Sequence, residues 1–190
     1  MILTRGKRRL MPEDPQRLVV EIVYCSARFE DLVSRLYELL AEKAEDESLL
    51  APLIWLSARS KSNAEFLDRA AALLGFRALE EDCRTVVGLP WRVVEEVMSE
   101  VDRAGRLSEG STASLLKKLG AEDSVISIET YHKILFNLLG QVLPHYVKSE
   151  NVKMVSEILQ KMSKEEESHE EILTKSLLAL SHKSSSSIQR

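Results

Sequence analysis

The chain has 190 residues, of which 44% are hydrophobic and only 5% aromatic, and it carries a formal net charge of −4. This length suits a single domain with one contiguous core, and the negative charge disfavours general binding to nucleic acid or anionic membranes. With seven glycines and five prolines the chain has few helix breakers, which favours long helices over many short strands. We therefore expect an all-α protein.

The sequence indicates neither a membrane span nor a disulfide framework. Residues 1–16 lack the uninterrupted apolar stretch of a signal peptide, and no later run reaches the ~18 apolar residues that cross a bilayer. The only two cysteines, Cys25 and Cys83, lie far apart and form no Cys-x-x-Cys pair. This cysteine usage fits a reducing cytoplasm, so we expect a soluble cytoplasmic protein in which both cysteines are free thiols.

Four long helices are predicted in chain order. Residues 1–13 carry a basic cluster and are expected to form a flexible tail, after which Asp14 and Pro15 supply a cap and a favoured first helical residue. Gly75 ends the second helix and Pro144 ends the third. The predicted helices span about Pro15 to Ala44, Leu49 to Leu74, Asp123 to Leu143 and Ser149 to Leu180.

A long crossover is predicted between the second and third helices, over residues 76–122. Gly88 and Pro90 interrupt this stretch and further glycines follow, so we expect one or two short helices within it. One of them is indicated by the helical spacing of Val93, Val94, Val97 and Val101. Two antiparallel helix pairs joined by one long crossover make a ferritin-like four-helix bundle over 14–181, followed by a flexible tail over 182–190.

Polar residues interrupt the apolar core stripe near the middle of every long helix. An ionised carboxylate in a dry core costs several kcal/mol unless it is paired or bound to a cation. Three glutamates and two histidines that meet in the core would relieve this cost by holding a metal ion. The stripe residues concerned are Glu30 in the first helix, Ser60 and Asn63 in the second, Glu129 and His132 in the third, and Glu166 and His169 in the fourth.

The two halves of the chain repeat this pattern. Residues 57–67, SARSKSNAEFL, align with residues 163–173, SKEEESHEEIL. Further corresponding pairs, each separated by seven residues, are Glu30 with Tyr37 and Glu129 with Phe136. In these residues the chain resembles the ferritin-like superfamily and, within it, the rubrerythrin-like proteins. Their pattern is a Glu on the first and third helices, followed by an aromatic residue, and Glu-x-x-His on the second and fourth.

The resemblance implies a metal centre of which half is present. Glu166 with His169 matches the family's Glu-x-x-His unit on the fourth helix, whereas Ser60 and Asn63 replace the equivalent unit on the second. Rubredoxin-like cysteines are absent as well. The resemblance therefore implies one iron or manganese ion per chain, with zinc as another candidate, and oxygen or peroxide as the substrate. The implied ligands are Glu129, Glu166 and His169, with Glu30 and His132 as further candidates.

The opposing hypothesis is a metal-free bundle without a catalytic role. In it the buried glutamates are neutralised by nearby basic groups, and the protein acts through contacts with other proteins. The candidate neutralising residues are His132, His169, Arg59 and Lys61. Under either hypothesis we expect a homo-oligomer, most simply a dimer, with no nucleic-acid or membrane partner. The two hypotheses differ on whether the chain is an enzyme.

Overall fold

A computed structural model describes residues 14–75, 83–120 and 127–187, and the all-α prediction is confirmed throughout these ranges. None of the helices in the described ranges is long and apolar enough to cross a membrane. A short 3-10 turn, Glu47–Leu49, precedes the second helix. The α-helices are α1 (Pro15–Lys43), α2 (Leu50–Leu73), α3 (Cys83–Val87), α4 (Leu89–Arg103), α5 (Glu109–Gly120), α6 (Ile128–Tyr146) and α7 (Val152–Ser187).

α1 and α2 form an antiparallel pair joined by a short turn. Asp14 caps α1 as predicted, because its side chain accepts a hydrogen bond from the backbone N–H of Gln16 at 2.9 Å. As the residue number rises along α1, the number of the partner residue on α2 falls, which fixes the antiparallel direction. The pairs are Arg28 with Asp68, Asp31 with Lys61 at 2.6 Å, and Ser34 with Ser57 at 3.1 Å.

α6 and α7 form the second antiparallel pair, and Gly140 marks their close approach. A Cβ atom on Gly140 would lie 2.9 Å from Gln160 Cγ and 3.0 Å from the backbone oxygen of Ser156. Only a residue without a side chain lets the two backbones come this near. Further along, Lys133 of α6 forms a 2.7 Å ion pair with Glu167 of α7.

The two pairs contact each other through α1 with α6 and through α2 with α7. On the first of these contacts, Phe29 packs on the rings of Tyr131 and His132, with centroid distances of 5.8 and 5.1 Å. Tyr37 meets Glu129, so this contact is also antiparallel. Because α1 opposes both α2 and α6, these last two run in the same direction. The connection between them therefore has to return along the length of the helices, which explains the crossover.

The crossover carries three helices in its described part, where we expected one or two. α3 has five residues and is separated from α4 by Gly88, whose φ of 77° lies in the region that favours glycine. α4 forms the helix that the valine spacing predicted, and it packs on α1 with Val94, Val97 and Val101 buried. α5 packs on α7.

Lys43 fixes the end of α4 to the end of α1. Its ammonium group donates to three carbonyl oxygens at the C-terminal end of α4, those of Val101, Asp102 and Ala104, at 2.7, 2.9 and 2.8 Å. Beside it the backbone of Leu107 bonds to that of Lys43 and Glu45. The crossover is thus attached to α1 by polar contacts at this end.

A disulfide attaches the crossover to α1 at its other end. Cys25, in α1, and Cys83, at the start of α3, have Cα atoms 5.0 Å apart and are covalently joined. The prediction of two free thiols is therefore wrong, because the fold brings together residues that lie 58 positions apart in the sequence. The cysteines consequently give no support for a reducing compartment.

The predicted starts of the last two long helices differ from the structure: α6 begins at Ile128 rather than Asp123, because Ser127 caps it, and α7 begins at Val152 rather than Ser149. The predicted ends of the same two helices differ as well. α6 continues past Pro144 to Tyr146, because the carbonyl of Gly140, which loses its helical donor at Pro144, accepts a bond from Gln160 Nε2 at 3.5 Å. α7 runs to Ser187, beyond the predicted Leu180 and into the predicted tail, since it contains no Gly or Pro. The predicted N-terminal tail and the segments 76–82, 121–126 and 188–190 lie outside the described residues.

Candidate functional site

The structure brings together all five side chains that the sequence singled out. Glu30, Glu129, His132, Glu166 and His169 are buried, with exposed fractions between 0% and 3%. They lie between two apolar clusters, one containing residues such as Val33, Leu56 and Leu173, and the other Leu67, Phe136 and Met162. The polar group therefore occupies a layer across the middle of the core. The glutamates next to Glu166 and His169 in the sequence are exposed instead: Glu165, Glu167, Glu170 and Glu171.

Asn63 links two of the glutamates across three helices. Its side-chain nitrogen donates to Glu30 Oε1 at 3.0 Å and to Glu166 Oε1 at 3.2 Å. One amide group thus holds carboxyl groups from α1 and α7 toward α2. The sequence marked Asn63 as the position of a missing histidine, but nothing in its spacing indicated that the amide would bridge two acids.

Tyr37 holds the third glutamate. Its hydroxyl donates to Glu129 Oε1, and both side chains are buried. Burial and the neighbouring carboxyl group of Glu129 raise the pKa of Tyr37 well above its usual range. The phenol consequently stays protonated and remains a donor.

Each histidine faces one carboxyl group and one aromatic environment. His169 Nδ1 lies 2.9 Å from Glu166 Oε2, and its ring stands edge-on to Trp55 with centroids 5.1 Å apart. His132 Nδ1 lies at a longer 3.6 Å from Glu30 Oε1, and its ring stacks on Phe136. The contact of His169 with Glu166 lies within α7, whereas the contact of His132 with Glu30 joins α6 to α1.

Burial controls the protonation of the site. It raises the pKa of Glu129 to about 7 and that of Glu166 to about 8, and burial together with Glu166 raises the pKa of Glu30 well above its usual range. The same loss of solvation lowers the pKa of His132 to about 3 and that of His169 to about 4. At neutral pH the imidazoles are therefore neutral, and the carboxyl groups hold protons wholly or in part.

Four buried atoms of these residues have no protein partner. They are Glu30 Oε2, Glu129 Oε2, His132 Nε2 and His169 Nε2. Unpartnered buried polar atoms are uncommon because each loses its water without compensation. Carboxylate oxygens and imidazole nitrogens are also the donors that iron, manganese and zinc take. In its chemistry, the donor set fits such an ion.

The arrangement of these donors is nevertheless not that of a formed metal site. Within the described ranges, no three His, Cys, Asp or Glu side chains are grouped so that they could hold a metal ion. Oxygens of Glu30, Glu129 and Glu166 are engaged by Asn63, Tyr37 and His169 instead. A cation would therefore have to displace some of these hydrogen bonds and the protons on the acids.

The predicted neutralising residues behave differently from one another. Lys61 pairs with Asp31 on the surface and plays no part in the site. Arg59 pairs with Glu165, although its Nε atom is buried without a partner and its charge lowers the pKa of Glu166. The contact between Trp55 and His169 was not anticipated from the sequence, because it depends on the rotation of α2 against α7.

Comparisons of the chain with family models, with curated proteins and with solved structures each found no significant match.

Proposed function

We propose that the chain is a ferritin-like, rubrerythrin-like four-helix bundle that binds one transition metal ion per chain in its core. The pairing of α1 with α2 and of α6 with α7, with α3 to α5 in the crossover, supports this arrangement. The main observation in favour of a bound metal is the set of buried oxygen and nitrogen atoms without a protein partner on Glu30, Glu129, His132 and His169.

Glu129, Glu166 and His169 are the proposed ligands, and Glu30 and His132 are the nearest residues that could add to them. The 2.9 Å between His169 Nδ1 and Glu166 Oε2 suits a hydrogen bond. That bond leaves His169 Nε2 as the imidazole nitrogen without a protein partner, which is therefore the atom free to bind an ion. The family resemblance favours iron or manganese, either of which would supply redox chemistry toward oxygen or peroxide, and mixed carboxylate and imidazole donors also suit zinc.

The surrounding residues prepare and protect this set. Tyr37 orients Glu129, and Asn63 orients Glu30 and Glu166. Phe136 stacks on the ring of His132, and Trp55 contacts the ring of His169 edge-on. These contacts restrict the rotamers of the proposed ligands and keep water from them, which is how a protein scaffold tunes a metal site.

A metal-free role is the second candidate, and the Asn63 bridge favours it. A neutral amide that satisfies two protonated acids needs no cation. Under this candidate the surface would carry the function, and α6 exposes Ile134 and Leu138, each 54% accessible, as a contact surface for a second copy. The protein would then be a non-catalytic dimeric module.

Metal analysis distinguishes the two candidates. Protein purified without added chelator or metal, and then equilibrated with manganese or ferrous iron, should bind about one ion per chain. Glu129→Gln and His169→Ala should each weaken metal binding by ~10-fold or more. Even the loss of a residue that only hydrogen-bonds to a metal ligand commonly has an effect of this size. His145→Ala, at an exposed histidine, is the matched control and should leave binding unchanged. Stoichiometry near zero in the wild type would contradict the metal proposal.

A further inference from the structure

The Cys25–Cys83 bond lies at the edge of the core, where one sulfur is enclosed and the other is near a surface cavity. Cys25 is fully buried in α1, whereas Cys83 is 7% exposed at the first position of α3. Cys83 lines a cavity of about 470 Å³ between α1 and the crossover. A reagent from solvent would therefore meet Cys83 first.

The cavity beside Cys83 is rich in arginine. Arg28, Arg35 and Arg84 line it, together with the two acids Asp31 and Glu95. Each arginine has a carboxylate partner: Arg84 pairs with Glu95 at 3.0 Å, Arg35 with Asp31 at 2.7 Å, and Arg28 with Asp68 outside the cavity. Lys61 also pairs with Asp31, so this network has four cations and three carboxylates, and the side chains of Arg84 and Arg35 are 60% and 66% exposed to solvent. One excess positive charge beside an open cavity favours the approach of anions.

We propose that Cys25 and Cys83 form a reversible thiol–disulfide couple, which is reduced by small thiols that carry an anionic group and enter the arginine-lined cavity. The reduction opens the attachment of α3 and α4 to α1. This inference does not depend on a metal in the core.

The exchange proceeds in two balanced steps. The thiolate of the reductant attacks Cys83 Sγ, the S–S bond breaks, and Cys25 leaves with the electron pair and takes up a proton. A second reductant thiolate then attacks the reductant sulfur of the mixed disulfide and releases Cys83 as a thiolate beside the arginines. Two reductant thiols are oxidised to a disulfide, and the protein disulfide is reduced to two thiols.

Packing connects this bond to the polar layer. Trp91 of α4 stacks on Phe29 of α1 with ring centroids 5.9 Å apart, and Phe29 in turn packs on His132. When the disulfide opens, only the packing of its five residues holds α3 on α1. Because α4 follows α3, the start of α4 then loses its covalent attachment, and only its end stays attached through Lys43. The environment of Trp91 should then change, which makes its fluorescence a reporter of the couple.

The rate of reduction tests the cavity. In a Trp55→Phe background, where Trp91 is the only tryptophan, reduction of the native protein is followed with three thiols: 2-mercaptoethanesulfonate, 2-mercaptoethanol and 2-mercaptoethylamine. Arg84→Gln should slow reduction by the anionic 2-mercaptoethanesulfonate about threefold, which is the effect of removing one charge about 6 Å away in water. It should not slow reduction by the cationic 2-mercaptoethylamine. Arg69→Gln, at an exposed arginine outside the cavity, should alter none of the rates.

Two results would overturn the proposed exchange at the cavity. The first is a disulfide that reacts only after denaturation, which would make it a permanent structural bond. The second is an equal effect of Arg84→Gln on all three thiols. Cys83→Ser provides an independent arm: its Trp91 emission should match that of the reduced protein and should not respond to reductant. Reduction that leaves the Trp91 emission of the native protein unchanged would contradict the link between the bond and α4.

Discussion

At the scale of single residues, three buried glutamates determine how the protein responds to pH. Their pKa values are raised in the folded state, to about 7 for Glu129, to about 8 for Glu166 and well above the usual range for Glu30. The folded state therefore keeps protons that the unfolded state has already lost above about pH 4.5. The resulting stability is present at low pH and is lost as the pH rises through 7 and 8.

We predict that the free energy of unfolding of the chelated protein falls between pH 6.5 and 8, by on the order of 1 kcal/mol per pH unit for each titrating group. The histidines, whose pKa values are lowered to about 3 and about 4, act in the opposite direction only below their usual value of about 6.5. Urea denaturation at several pH values measures the slope. Glu166→Gln should flatten it, and a stability that rises with pH in chelator would contradict the assignment.

Restoring the second Glu-x-x-His unit is a further prediction at this scale. Ser60 and Asn63 are buried beside Glu30, so Ser60→Glu with Asn63→His should raise the bound manganese or iron toward two ions per chain. The matched control is Ser62→Glu with Glu65→His, which places the same unit on the exposed face of α2. A folded double variant that gains no more metal than this control would show that the register of α2 or the ferritin-like assignment is wrong.

The site residues could be predicted because helical periodicity alone decides which side chains face a bundle core. Glu30, Glu129, Glu166 and both histidines are buried, as that periodicity required. Their hydrogen bonds were not predictable in the same way. Asn63 reaches two acids because of the particular offsets of α1, α2 and α7, and such offsets follow from side-chain packing rather than from any one segment.

At the scale of the elements, the contact between α6 and α7 depends on Gly140. We predict that Gly140→Leu lowers the free energy of unfolding by about 1–3 kcal/mol, the usual cost of overpacking, because the side chain would enter the backbone of α7 near Ser156. Gln141→Leu introduces the same side chain one position further along α6, where the residue is exposed, and should have little effect. Equal stability of the two variants in thermal melts would argue against this close contact.

Long helices were more predictable than the elements that join them. α1 and α2 begin and end within two residues of the expected positions, because Asp14 and Gly75 are strong local signals. Pro144 was a misleading signal, since Gln160, from another helix, satisfies the carbonyl that the proline leaves unpaired. The disulfide was missed for a related reason, as the proximity of Cys25 and Cys83 exists only after the crossover has folded back on α1.

At the scale of the whole molecule, the core consists of two apolar clusters with a polar layer between them. The three acids and two histidines do not by themselves stabilise the core, because burial makes the charged form of each group unfavourable. In the metal-free protein, protons and the Asn63 bridge offset that cost. A bound cation would offset it differently, because it replaces the protons on the carboxyl groups and ties the layer together.

Thermal melts of the wild type and of His169→Ala, each with chelator and then with manganese added back at pH 8, test the metal proposal most directly. An ion that binds only the folded state raises its stability. Chelation should therefore lower the melting temperature of the wild type and manganese should restore it, whereas the melting temperature of His169→Ala should stay almost unchanged under both treatments. Equal melting temperatures of the wild type under every condition, with no metal detected after purification, would contradict the proposal.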